Sequence, residues 1–146
     1  STSRKILLEI YEDLSVNFGL SLKDIHLSVQ QIQKLLEMGH TIGTHSRNHI
    51  SMLNPFLSKK EFNDEFIVPK FTLENTFNTK IDCMSYTYGD VGDFSKHNSI
   101  NPFKLIFSIE PKLNTKQTPK DNIGRYEIHS TDTADKLKSI LKNITQ

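Results

Sequence analysis

The chain has 146 residues, enough for one domain with one core, and its 36% hydrophobic and 24% charged residues mark a globular rather than a disordered sequence. Lys+Arg 18 against Asp+Glu 17 leaves a net charge of +1, which argues against non-specific nucleic-acid binding. No apolar run approaches the roughly 18 residues needed to span a bilayer, and the single cysteine, Cys83, excludes an intramolecular disulfide and a cysteine-based zinc cage.

In chain order, Ile6, Leu7, Ile10, Tyr11 and Leu14 recur at helical spacing and predict an amphipathic helix over 4–14. Charges within that apolar pattern are unlike a signal peptide and favour the cytoplasm. The first residue is Ser rather than Met, which leaves the native N-terminus and the compartment open. SVNFGLSLKDIHL, with its Gly and Ser breaks, reads as loop. Ser28 opens a second helix: Gln31 completes a capping box, Val29, Ile32, Leu35 and Leu36 form the apolar stripe, and Gly39 stands at the stop. HTIGTHS follows at once and reads as a short strand. Ser58 and Glu61 form another capping box, opening a helix over 59–77 with Phe62, Phe66, Leu73 and Phe77 on one face. Pro69 should kink or split it. IDCMSY (81–86), KLIFSI (104–109) and RYEIH (125–129) read as strands separated by polar loops. Asp132 is the expected cap of a final helix with Leu137, Ile140, Leu141 and Ile144 inward. Helices alternating with short strands imply an α/β fold with a mostly parallel sheet. Such sheets bind ligands at the C-terminal ends of strands, where THSRNH, YTYGD and HSTD lie.

The densest chemistry is GHTIGTHSRNH, residues 39–49, with three of the six histidines. His45 and His49 are spaced HxxxH, so on one turn or in a tight loop both rings can face one point. Catalytic zinc usually takes three protein ligands and a water. HxxxH is a common chance spacing, and its flanks must carry the case. Ser46 can satisfy a backbone N–H at the turn and steady the rings. Gly43 permits a close approach to the strand. His40 alternates with Ile42 and Thr44, away from His45, and reads as structural. His26 and His97 lie in polar loops and read as solvated; His129, ending a strand, could reach a site.

LSVQQIQKLLEMGHTIGTHSRNHISML resembles the second motif region of the polysaccharide deacetylase family, the NodB-homology carbohydrate esterases. There a helix ends in Gly-His, a strand carries Ile-Gly, and His-Ser/Thr-x-x-His follows. MSYTYGD is similar to the family's third motif, Arg-x-Pro-Tyr-Gly or Tyr-Pro-Tyr-Gly. SIEPKLNTKQTPKDNIGRYEIH resembles a late stretch of some members. The likeness runs from about Leu27 to the C-terminus. It implies a distorted (β/α) barrel with a divalent metal, commonly zinc, and hydrolysis of acetyl groups, mostly N-acetyl on amino sugars. By position it implies His45 and His49 as metal ligands, Ser46 as a brace, the Tyr88 backbone N–H at the oxyanion, and Arg125 orienting an acidic residue.

The departures are as specific. The family's Asp-Asp strand, source of the general base and third ligand, has no counterpart: no Asp-Asp pair occurs in the chain. Ser85 and Thr87 stand where Arg and Pro are usual, and the late Leu-x-x-His motif is not evident. The expected domain, 1–146, is therefore a single incomplete one, a partial barrel lacking the first strands. Asp90, Asp93 or His129 could supply a third ligand, Asp90 having the best placement. The expected partner is an N-acetylated glycan, with Phe56, Tyr86, Tyr88 and Phe94 able to stack on sugar rings and Phe62, Phe66, Phe71 and Phe77 in the core. A homodimer could cover the exposed sheet edge. The alternatives are a degenerate, non-catalytic glycan- or protein-binding member, and a plain α/β domain with fortuitous histidines.

Overall fold

The computed structural model describes residues 2–18 and 26–144. They fall into two compact units that divide between Thr41 and Ile42.

In the first unit, helix α1 spans Thr2–Phe18, longer than its periodicity marks. The first residues of the expected loop are thus helical, and 19–25 lie outside the described residues. Ile6, Ile10 and Tyr11 are exposed, so the expected inward stripe is not buried at those positions; the side chains of Leu7 and Leu14 lie outside the description. Helix α2, Val29–Glu37, begins as its sequence demands. Ser28 Oγ accepts the Gln31 N–H (3.2 Å) while the Gln31 side chain accepts the Ser28 N–H (2.7 Å). At the other end Gly39 adopts φ +87°, and the N–H groups of Gly39 and His40 return to the carbonyls of Leu36 and Leu35. That is a Schellman stop, which a residue with a Cβ would strain.

The second unit holds the sheet and the core. Helix α3, Lys59–Phe62, is opened by the Ser58–Glu61 capping box. It passes into a π-helical turn, Asn63–Ile67, and then into α4, Val68–Phe77. The predicted helix over 59–77 is therefore continuous in direction but interrupted in register just before Pro69. Proline has no N–H, so the carbonyl four residues back, that of Glu65, has no helical donor from it. Strands β1, Cys83–Ser85, and β2, Leu105–Phe107, pair in parallel with Met84 opposite Ile106. Parallel bridges flank them, Thr44 with Met84 and Phe107 with Ile123.

Two expected strands shrink to these bridges. At 40–46 the pairing reduces to Thr44, whose N–H and C=O bond Cys83 and Ser85 (3.1 and 3.0 Å), because the chain then turns through Ser46 at φ +57°. RYEIH is not a strand: Ile123, just upstream, makes the bridge, the Arg125 N–H goes to Glu110 O (3.0 Å), and Ile128 is exposed. The final helix, α5, spans Ala134–Ile144. Its N-terminus is held by Thr133, whose Oγ accepts the Lys136 N–H (3.2 Å), while Asp132 bonds the Lys136 ammonium and the His129 N–H. Leu137 and Ile140 are half-buried and Leu141 is exposed; the Ile144 side chain lies outside the description.

The core is Met52, Phe62, Phe66, Met84, Tyr86, Phe94, Phe103 and Ile106. Phe77 is also buried, but Phe71, expected inside, is 48% exposed. Phe94 and Tyr86, expected as sugar platforms, belong to the core. Burial raises the Tyr86 phenol to about 12, and its hydroxyl donates to the Asp121 carbonyl (2.9 Å). His97, expected to be solvated, is half-buried: its ring stacks on Phe62 at 4.2 Å and 11°.

Candidate metal centre

The site forms where two strand ends meet. Gly43 brings the first of them close to β1: a Cβ there would stand 2.8 Å from the Cys83 carbonyl oxygen. Thr44 then pairs, and His45 emerges beside Ser85. His45 Nδ1 lies 3.0 Å from the Ser85 carbonyl oxygen and 3.0 Å from Ser85 Oγ. A carbonyl only accepts, so in the neutral ring this contact places the proton on Nδ1 and the lone pair on Nε2.

The chain reverses over the next four residues. Ser46 and His49 both take left-handed φ, +57° and +55°. Ser46 Oγ accepts the Ile50 N–H (3.1 Å), the bracing bond expected of it. The result sets the His45 and His49 rings edge to face, with centroids 4.8 Å apart at 70°. Tyr88 also packs against His49, at 4.7 Å and 80°. Tyr88 is itself left-handed, at φ +58°, and 63% exposed. Its 3-10 turn is closed by Gly89 N–H to Tyr86 O and Asp90 N–H to Thr87 O, bonds that leave the Tyr88 N–H uninvolved.

The donor set fits a borderline divalent ion in part. It offers two imidazoles, one of them anchored through its far nitrogen to a carbonyl, as ligating histidines are. Among the described residues, however, no group of three or more His, Cys, Asp and Glu side chains gathers to hold an ion. The Asp90 carboxylate instead accepts the Ser51 hydroxyl (2.5 Å). Asp93 caps its own turn by accepting the Ser95 N–H and hydroxyl, bonds that hold its carboxyl below the usual range. His129 is exposed beside Glu127, at 3.7 Å. Arg125 meets no carboxylate among the described ion pairs; its Nε donates to the Ser108 carbonyl (2.9 Å) and its guanidinium lies over Phe107. Thr87, at the position of the family's proline, is fully buried and donates to the Ile50 carbonyl.

One residue that the sequence pattern does not single out holds this loop. Glu65, in the π-helical turn, is 8% exposed. Its carboxylate accepts the Asn48 N–H (2.8 Å) and the Asn48 side-chain amide, and its carbonyl accepts the Arg47 N–H (3.0 Å). The only local signal for it is Pro69, four residues on.

Residues 16–99 match the polysaccharide deacetylase family. The match includes the HxxxH loop and MSYTYGD, and it ends before the late stretch that carries Arg125. No curated protein matches the sequence. Among solved structures, the chain is similar to a polysaccharide deacetylase from Bacillus cereus, with TM-score 0.67 and 19% identity over 84% of this chain and 39% of that one. A Bacillus anthracis protein assigned to the same enzyme class gives TM-score 0.63 and 22% identity, over 77% and 36%. A de-N-acetylase from Aggregatibacter actinomycetemcomitans gives 0.60 and 17%, over 80% and 54%. At such identities the likeness shows the fold, a mixed α/β one. The chain spans well under half the length of the first two. No helix among the described residues is long and apolar enough to cross a membrane.

Proposed function

The chain belongs to the polysaccharide deacetylase family, and on that premise we propose that it is part of a metal-dependent hydrolase removing N-acetyl, or O-acetyl, groups from a polysaccharide or amino sugar. In this reading residues 1–146 form one incomplete domain, a partial NodB-type (β/α) barrel without its first strands. The observation that carries it is the edge-to-face pair His45 and His49, with His45 Nδ1 anchored on Ser85.

His45 and His49 would hold the ion, most simply zinc, each through one imidazole nitrogen. Bound zinc supplies a polarised acetyl carbonyl and a water of lowered pKa. The Tyr88 N–H would donate to the oxyanion, an interaction worth roughly 3–4 kcal/mol per donor in acyl transfer. Arg125, outside the family match, would orient an acidic side chain from its anchor on Ser108. The exposed ring of Tyr88 would meet the sugar, as would Phe56, which is 90% exposed. The general base and third ligand are not among the identified residues, and we assign them to an Asp-Asp segment supplied in the complete protein.

Zinc stoichiometry on the chain and on His45→Ala and His49→Ala tests the site. Loss of zinc in both variants is expected; equal zinc in all three proteins would sink it. Deacetylation of an N-acetylated oligosaccharide is expected when the Asp-Asp segment is present in the same polypeptide. Full activity of His45→Ala in that protein would refute the mechanism.

A second reading has its own support. Asp90 is engaged by Ser51, and Ser85 and Thr87 replace the usual Arg and Pro. A non-catalytic glycan- or protein-binding member would bind chito-oligosaccharide in a calorimeter without turnover and regardless of chelator. Absence of any glycan binding removes its carbohydrate form.

A further inference from the structure

The HxxxH loop is costly to hold. Ser46 and His49 sit in left-handed backbone within four residues, and such conformations in non-glycine residues cost on the order of 1–3 kcal/mol each and persist only where the surroundings impose them. Ser46 Oγ restrains one end. The middle of the loop, Arg47 and Asn48, is restrained by Glu65.

The restraint arises from a defect in the helix. Pro69 cannot donate to the Glu65 carbonyl, and that carbonyl accepts the Arg47 N–H instead (3.0 Å). The π-turn, Asn63–Ile67, closes with the Val68 N–H on Asn63 O, five residues back. An added residue in a helical turn rotates the rest of the helix by about 100°. Phe62 and Phe66 both reach the core while Glu65, between them, takes Asn48 by its backbone and side-chain amides. A buried carboxylate is tolerated where donors satisfy it, and here one loop supplies them.

We propose that Glu65 is a positioning residue for the imidazole pair, acting through Asn48 and Arg47 to keep His49 turned against His45. The proposal rests on the metal-site reading above, and its test separates the two. In the whole chain, Glu65→Gln, Asn48→Ala and the double variant are compared with wild type. Zinc affinity is read by chelator competition, Asn48 amide protection by hydrogen exchange, and the His49 backbone by its three-bond coupling constant. Each single variant should lower zinc affinity about 10–100-fold, the range for outer partners of metal ligands. The double variant should lose little more, since both remove one interaction. Asn48 protection should fall, and His49 should leave its left-handed state, while circular dichroism keeps the helix content.

Pro69→Ala covers the case in which Glu65→Gln fails to fold, because it adds a strong helix former. Its new N–H should compete for the Glu65 carbonyl, lowering Arg47 amide protection and zinc affinity without loss of helix. Unchanged His49 coupling and Asn48 protection in Glu65→Gln, or unchanged Arg47 protection in a folded Pro69→Ala, would overturn the positioning role even if zinc binds. A wild-type chain that binds no zinc would overturn the metal reading alone, and the coupling and exchange data would still decide for or against Glu65.

Discussion

Gly43→Ala is the sharpest perturbation of the site that touches no site side chain. The added Cβ would lie 2.8 Å from the Cys83 carbonyl oxygen and 3.3 Å from its carbon. Both are backbone atoms, so no side chain can swing away. Relief requires the segment before His45 to move off β1. Two hydrogen bonds hold it there, Thr44 N–H to Cys83 O (3.1 Å) and Ser85 N–H to Thr44 O (3.0 Å). At about 0.5–1.5 kcal/mol net for each, the expected loss is about 1–3 kcal/mol, or a Tm lower by roughly 2–12 °C at this chain length. The same movement withdraws His45 from Ser85. Urea denaturation with amide exchange at Thr44 and Ser85 measures both effects. Gly39→Ala is the control, for it meets nothing within 4 Å yet must hold φ +87°. It should cost about 1–2 kcal/mol by conformation alone and leave Thr44 protection intact. Stability of Gly43→Ala within about 0.5 kcal/mol of wild type, with Thr44 still protected, would refute the reasoning.

Phe62→Ala should cost about 3–5 kcal/mol in urea denaturation, since Phe62 is fully buried against Phe66, Phe94 and His97; Phe56→Ala, at a 90% exposed position, should stay within about 0.5 kcal/mol. The Lys70 hydrogen bond, followed by the Ile81 N–H, holds the Glu74 carboxyl below its usual range. A lowered native pKa means that the unfolded chain binds protons first, so this stability is present above the ordinary carboxylate range and is lost as pH falls through it. Denaturation midpoints between about pH 3 and 5 should fall less steeply in Glu74→Gln; an unchanged slope would exclude Glu74. The sheet ends on either flank in single bridges, at Thr44 and Ile123; a homodimer covering one of these edges should appear in light scattering, and a monodisperse monomer at high concentration counts against it.

What was legible in the sequence was local. Ser28 with Gln31, Ser58 with Glu61, and Gly39 each announce a helix end, because a cap bonds residues two or three positions away. Gly43 and Ser46 were legible for the same reason: one admits a neighbouring backbone and the other bonds four residues ahead. The errors lie where distant contacts decide. RYEIH has strand-like alternation, yet Ile128 finds no face to bury against. Phe94 and Tyr86 sit in polar sequence and fill the core, while Phe71, at helical spacing, faces outward. His97 looks solvated in its loop until Phe62 stacks on it. Glu65 was hidden most completely: its partners lie 17 residues earlier, and no side-chain period reveals a π-turn. Only Pro69 hinted that the helix would be broken there.

The distribution of backbone strain bears on whether the histidines are fortuitous. Among the described residues five that are not glycine have positive φ: Ser46, His49, Asn78, Tyr88 and Asn98. The two asparagines end helical turns, where asparagine tolerates the left-handed region through its short polar side chain. Histidine shares that tolerance in part, but serine and tyrosine do not. Serine and tyrosine at these angles are uncommon, and with His49 they meet at one place: Ser46 braces the loop, and the His49 ring contacts those of His45 and Tyr88. A loop that merely joined two elements would be expected to relax, or to carry Gly or Asn at these turns. Strain gathered at one cluster, braced within the loop by Ser46 and held from two other elements by Ser85 and Glu65, supports a pre-organised half of a ligand site over a plain α/β domain. It also accounts for how the two imidazoles are set side by side: the His45 ring is anchored on β1, and His49 sits in the loop that the π-turn holds.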